Sequence, residues 1–324
     1  AESDRHAYLL AGTPCTLVRH GMGIGQGTIG PLPEVVAPLT LRPGDTLWLT
    51  PETEAGRPAE HDAQGELIRP AHIPCTLDAV FRAAQPGQRV WLDDGKLGGH
   101  IVAVQPERLE ILIEQAAPQG GKLRAAKGIN LPDTELDIPA LTADDLAHLE
   151  QLAPHLDTVG LSFARGAADV LALHEHLARL NAVRVGCVFK IETRQGFENL
   201  PSILLAAMRH PTAGIMLARG DLAVEVGFER LSEVQEEIMI LCEAAHIPVI
   251  WATQVLENML RSGQPSRAEV TDAARSGQAE CVMLNKGEHI IATLRFLAGV
   301  LERMAGHRHK SRPVFRRLAV SDLN

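Results

Sequence analysis

From Pro139 onward, short apolar stretches alternate with longer amphipathic ones five times in succession, and this repeat constrains the fold more than any other feature of the chain. Thr158–Phe163, Val183–Ile191, Ala213–Ala218, Pro248–Ala252 and Glu280–Leu284 are apolar nearly throughout and read as strands. Asp144–Leu152, Ala167–Leu180, Phe197–Arg209, Ser232–Ala245, Ala268–Ser276 and Ile290–Arg303 carry helical spacing, with Thr142 placed to cap the first. Strands without a polar face must be covered on both sides, which predicts a parallel sheet between helices. A unit of about thirty residues suits a (β/α)-barrel, with a doubly wound sheet as the alternative.

The region before this repeat has a different texture. Leu39–Leu49, Arg89–Val104 and Arg108–Ile113 contain short alternating runs broken by Gly, Pro and Asp, which predicts a small β-barrel or sandwich. Residues 21–27, rich in glycine, meet neither dinucleotide nor P-loop spacing and read as a plain loop. The organisation expected is an unassigned segment at 1–34, a β-rich unit at 35–132, a (β/α) portion at 133–306 and a basic tail at 307–324, in which the pair His307 and His309 reads as solvated.

The formal net charge of −9 argues against a nucleic-acid partner, which would call for a basic face. No apolar run is long enough to span a bilayer, and the polar start does not read as a signal peptide. The five cysteines are scattered, with Cys187, Cys242 and Cys281 in apolar segments, so reduced, buried thiols in a cytoplasmic protein are expected.

Polar residues gather where the apolar strands end. Lys190 and Glu192 are two positions apart and so share a face of their strand. The next strand ends in Arg219-Gly220-Asp221, and the one after in Thr253-Gln254. Neighbouring strands lie about 4.8 Å apart, so Glu192 and Asp221 can face each other across a gap that a divalent cation fills. Two carboxylates without His or Cys suit magnesium or manganese. Gly220 permits close approach to the backbone, and the amides of what reads as a turn can meet an anion. The bland readings are an ion pair for Lys190 and Glu192, and a helix cap for Thr253; three successive strand ends carrying such groups favour a site. Ser162 and Arg165 could orient a ligand, with a surface ion pair the equal alternative for Arg165.

Several blocks resemble the pyruvate kinase family, and they occur in family order. Ala213–Glu225 is similar to the family signature almost residue for residue. Lys190-Ile191-Glu192 resembles its Lys-Ile-Glu-Asn segment, with Thr193 in place of the Asn. Leu161–Arg165, Ala252–Met259, Pro265–Val270, Lys127–Pro132, Asp137–Leu141 and Val90–Gly95 resemble further blocks. The resemblance implies a (β/α)8 TIM-type barrel, of which the last five βα units are present, with a small β-barrel lid inserted after the third strand. It implies transfer of a phosphoryl group from phosphoenolpyruvate to ADP. Carried over, Glu192 and Asp221 hold Mg2+ or Mn2+, and Lys190 stabilises the transferring group and the enolate. Thr253 belongs to the route that protonates the enolate. Arg219, Gly220, Asp221 and Thr253 form the substrate site, and Lys127 contacts nucleotide phosphates. Potassium is a further candidate, but the family's first three strands, which supply its ligands, have no match here. The family's C-terminal regulatory domain has none either. A homo-oligomer is compatible with the resemblance. Two other readings stand beside it: a family member that binds without turnover, and a lyase or aldolase on a related pyruvate-binding barrel.

Overall fold

The computed structural model describes residues 10–19, 21–31, 37–51 and 55–305. The expected tail, with His307 and His309, lies outside them. The chain opens with a hairpin, β1 (Pro14–Arg19) and β2 (Met22–Thr28), paired antiparallel. The glycine-rich segment read as a loop is therefore a strand. Glycine gives no period-2 signal, and every residue of both strands is exposed, so no buried face marked the pairing in the sequence.

The β-rich unit follows: β3 (Leu39–Leu41), β4 (Thr46–Thr50), β5 (Glu60–His61), β6 (Leu67–Arg69), β7 (Ala71–Pro74), a short helix α1 (Ala79–Ala83), then β8 (Arg89–Leu92), β9 (Leu97–Gln105), β10 (Arg108–Gln115), β11 (Gly121–Leu123) and β12 (Ile129–Asn130). Six of these strands form one sheet in the order β12-β8-β9-β10-β4-β7, antiparallel except for the parallel pair β4 and β7. Alternation does what the sequence implies. Along β10, Leu109, Ile111 and Ile113 point into a core shared with Leu47, Leu49 and Ile101. The opposite face carries Arg108, whose guanidinium lies 4.1 Å from the Trp48 ring. Gly99 is required by close approach, because a Cβ there would run into the carbonyl of Leu112 on the neighbouring strand.

The second part holds α2 (Ala143–Leu152), β13 (Thr158–Leu161), α3 (Ala167–Arg179), β14 (Gly186–Ile191), α4 (Arg194–Glu198), α5 (Leu200–Ala207), β15 (Ala213–Ala218), α6 (Arg219–Val226), α7 (Leu231–Ala244), β16 (Val249–Ala252), α8 (Glu257–Ser262), α9 (Arg267–Ser276), β17 (Cys281–Val282) and α10 (Ile290–Ala305). The five strands β13 to β17 pair in parallel and in chain order, each joined to the next through helical connections. The fold is a TIM-type (β/α) barrel in part, five strands of it among the described residues. Thr142 caps α2 through a reciprocal box with Asp145, as its position implied. Two differences from the sequence reading matter for the site. Arg219-Gly220-Asp221 is not a turn but the first turn of α6, which follows β15 without a loop. The helix expected at Phe197–Arg209 is broken into α4 and α5, because Pro201 starts a new helix after Asn199.

The barrel core is built on the face of the sheet that the helices cover; on the other face Val188, Lys190, Met216 and Ile250 are only half-buried, so the sheet is not covered on both sides as expected, because five strands leave the barrel open. Phe189, Ile191, Ile215, Leu217 and Trp251 are almost wholly enclosed, with Val170, Leu173, Ile203 and Ile238 packed on them from the helices. Burying a side chain such as Phe189 contributes about 2 kcal/mol. That energy fixes strand register, and register sets which residues end at the open edge of the sheet. Cys187 and Cys242 lie in this core, and burial pushes their thiols up to about 11 and about 12. Cys281, expected to be buried, is exposed: it lies on β17, which pairs only with β16 and has no strand beyond it among the described residues.

Candidate active site

The ends of β13, β14, β15 and β16 converge at one edge, and their terminal residues meet there. Lys190 Nζ lies 2.8 Å from Glu192 Oε1 and donates to Ser162 Oγ at 2.8 Å. Glu192 is buried, and its Oε2 accepts from the backbone amide of Phe163 at 2.6 Å. Phe163 adopts φ 52°, a left-handed conformation that aims this amide at the carboxylate. Lys190, Glu192 and Ser162 are thus brought together as the sequence implied. Arg165 is not part of that group. Its Nη1 donates to the Leu136 carbonyl at 2.8 Å, and its Nη2 to that of Ile138, so it clasps the link between the two halves of the chain.

Asp221 comes from the first turn of α6, on the neighbouring strand unit. Burial pushes its carboxyl above the usual range, and the negative charges of Glu192 and Asp94 push it the same way; Lys190 and a hydrogen bond from Asn130 pull against them. Glu192, just past β14, and Asp94 of the β-rich unit therefore act on Asp221 together, with Lys190 acting against them. A further cation would relieve that repulsion. The donor set is oxygen only, which suits magnesium or manganese. Among the described residues no group of three or more His, Cys, Asp or Glu side chains could hold a metal by itself.

Thr253 follows β16 in the left-handed region at φ 63°, an uncommon place for a β-branched residue. Its hydroxyl accepts from the amide of Gly220 at 2.8 Å. Arg219 is placed differently from a substrate-binding cation. It is buried, and each of its three nitrogens is engaged: Nε with the Ala252 carbonyl at 3.1 Å, Nη2 with the Thr253 carbonyl at 2.6 Å, and Nη1 with Asp272 at 2.5 Å. Its guanidinium also lies 4.8 Å from the Trp251 ring. Arg219 and Gly220 thus hold Thr253 in place, with their donors turned toward β16 and α9.

The β-rich unit reaches this edge through the turn after β8. Asp93 takes Lys127 at 2.9 Å and Lys96 at 3.0 Å. Burial raises the Asp93 carboxyl, but the two lysines outweigh it and hold it below the usual range, while the same contact raises Lys127. Gly95 sits against α6, where a Cβ would lie 3.2 Å from Val224 Cγ2. Asn130, Asp94 and Glu225 belong to this neighbourhood and carried no signal as site residues. Asn130 is one polar residue in Ile-Asn-Leu, and Glu225 looks like an ordinary helical acid.

Parallel strands in chain order, helices between them, and Lys190, Glu192, Asp221 and Thr253 at the strand ends define a TIM-type α/β barrel in part, with its polar groups gathered at one edge. The comparisons resolve the class. The family model described as pyruvate kinase, barrel domain, matches residues 58–291, more than half of the chain. A pyruvate kinase of Hypocrea jecorina is 34% identical over 209 residues, covering 64% of this chain and 37% of that protein. Pyruvate kinase PKLR of Rattus norvegicus is 35% identical over 244 residues, covering 69% and 41%, and a pyruvate kinase of Corynebacterium efficiens is 35% identical over 245 residues, covering 75% and 48%. The chain belongs to the pyruvate kinase family. It spans less than half the length of these curated relatives.

Proposed function

We propose that this chain carries the phosphoenolpyruvate and divalent-metal site of a pyruvate kinase-type phosphotransferase, which moves a phosphoryl group from phosphoenolpyruvate to ADP. The observation that carries the reading is the grouping at the strand ends: Lys190 Nζ between Ser162 and Glu192, with Asp221 close enough for the Glu192 charge to act on it. Phosphoryl transfer needs positioned positive charge around spreading negative charge more than it needs a covalent partner.

Glu192 and Asp221 are the residues that would hold Mg2+ or Mn2+, which when bound would offset the charge of phosphate and enolate oxygens. Lys190 is directed at the same spot and would stabilise the transferring group and the enolate left behind. The Thr253 hydroxyl accepts from Gly220, which leaves its own hydrogen to donate toward the enolate. The substrate carboxylate would sit at the first turn of α6, near Gly220 and Asp221, and would meet the amides beyond Gly220, whose own N–H is taken by Thr253. Lys127 would meet nucleotide phosphates from the β-rich unit, which acts as a lid that limits hydrolysis. Among the described residues no helix is long and apolar enough to cross a membrane. The work of this site would be cytoplasmic.

The test is pyruvate formation from phosphoenolpyruvate, dependent on ADP and Mg2+, measured for the chain and for Lys190→Met, with Mn2+ binding followed in parallel. Turnover is expected to fall by about a thousandfold or more in Lys190→Met, as for loss of a charge that acts only in the transition state, while Mn2+ still binds. Equal turnover in the two proteins would refute the role given to Lys190. Binding of Mn2+ and oxalate by the parent without any turnover would favour a member that binds and does not catalyse.

A further inference from the structure

The β-rich unit carries a concentration of positive charge that the strand-end site does not use. A cavity of about 600 Å3 opens between the turn after β8, the end of β10 and β11. Lys96, Lys122, Arg124 and Lys127 line it, with Asp93 the one acid among the described residues of its wall. Asp94, next in the chain, does not line it. Four cations therefore face one carboxylate, on a chain whose net charge is −9. None of Ser162, Lys190, Glu192, Asp221 and Thr253 belongs to the wall, so the cavity is separate from the edge where the barrel strands end.

Local structure puts these groups together. Gly121 lies so close to Leu97 that a Cβ there would run into the leucine side chain, which seats β11 against the start of β9. Along β11, alternation turns Gly121 and Leu123 into the core and leaves Lys122 and Arg124 exposed on one face. Lys96 and Lys127 both reach Asp93, at 3.0 and 2.9 Å, so a single carboxylate is divided between two ammonium groups. Lys122 and Arg124 have no hydrogen-bond or ion-pair partner among the described residues, which leaves positive charge in excess. No aromatic side chain lines the cavity, so a nucleobase would find no ring to stack on.

We propose that this cavity is a binding site for an inorganic polyanion of the pyrophosphate class. Cations clustered on a concave wall focus their field on an anion that carries several charges. Arg124 offers a planar fork that matches phosphate oxygens, and Lys96 and Lys122 meet them as point charges. The site lies wholly within the β-rich unit and stands independently of the metal reading. Lys127 is also given above to nucleotide phosphates, so the test leaves it intact.

The experiment uses the full chain and sodium pyrophosphate without divalent metal, with binding read by isothermal titration calorimetry at about 0.1 M ionic strength. A dissociation constant below about 1 mM is expected. Lys122→Gln and Arg124→Gln, both at exposed positions, are each expected to weaken binding about tenfold while keeping the parent's circular dichroism. Arg82→Gln removes the same charge from an exposed position of α1 in the same unit and is expected to stay within about twofold of the parent. A parent dissociation constant above about 1 mM overturns the proposal. So does a folded double variant, Lys122→Gln with Arg124→Gln, that binds within about twofold of the parent, or an equal weakening by Arg82→Gln. ADP is titrated in parallel. If ADP binds about tenfold tighter than pyrophosphate and loses that advantage in the double variant, the cavity belongs to a nucleotide and the proposal falls.

Discussion

Arg219 donates from Nη2 to the backbone carbonyl of Thr253 at 2.6 Å, tying the first residue of α6 to the residue that follows β16. The amide of Gly220 closes a second bond to the Thr253 hydroxyl. Two adjacent strand ends are thereby locked to each other, and the left-handed conformation of Thr253 is held by its neighbours.

Breaking the anchor of that lock should be costly. Arg219 is nearly enclosed, and Asp272 is the acid that it meets. Asp272→Ala leaves the guanidinium without its charge partner, which is expected to destabilise the fold by about 3 kcal/mol. Chemical denaturation reads the loss directly. A change of less than about 0.5 kcal/mol, the range of an ordinary surface substitution, would show that the pair does not anchor α6.

Thr253 carries both a strained backbone and a used hydroxyl. Thr253→Ser keeps the acceptor for Gly220 and removes the branch, so its melting temperature is expected to equal or exceed the parent's. Thr253→Ala loses the acceptor and is expected to fall about 1 kcal/mol below the serine variant. Equal stability of the two variants would mean that the bond to Gly220 contributes nothing.

Gly99 and Gly128 provide a contrast within the lid. At Gly99 an added Cβ collides with the Leu112 backbone, whereas at Gly128 nothing lies within 4 Å. Gly99→Ala is expected to cost about 3 kcal/mol or more through forced strand separation, and Gly128→Ala to stay within about 0.5 kcal/mol. Thermal melts of the two variants beside the parent check the ordering.

His174 and His210 stack with ring centroids 4.9 Å apart, and His174 meets Phe189 edge-on at 5.7 Å. Burial, with the nearby His210 adding to it, holds His174 below its ordinary value of 6.5. The folded state therefore takes up this proton less readily than the unfolded chain. The stability that follows is fully present above pH 6.5 and is lost as pH falls from there through the folded value. His174→Phe is expected to flatten that part of the stability curve, as measured by denaturation across the range. An unchanged slope would rule the group out as a source of acid sensitivity.

The repeat of apolar strands and amphipathic helices was legible because each βα unit buries its own strand, and such burial leaves a local pattern. Lys190, Glu192, Asp221 and Thr253 were legible because strand ends in such a sheet share one edge. What β2 and α6 became was not legible: glycine carries no periodicity, and α6 begins directly on the last residue of β15, where a tight Arg-Gly-Asp looks like a turn. The partners of Arg219 were hidden for a related reason. A guanidinium near a carboxylate pair reads as a substrate cation until the positions of Asp272 and Trp251 are known.

The sequence by itself determined the class of fold, the order of its units and the identity of the groups at the strand ends, because backbone period and side-chain chemistry are local properties. Only the tertiary structure decided which donors are spent and which carboxylates share a neighbour. Contacts such as that of Asn130 with Glu225 join residues far apart in the chain. They exist only once both cores have packed and brought the lid sheet against α6.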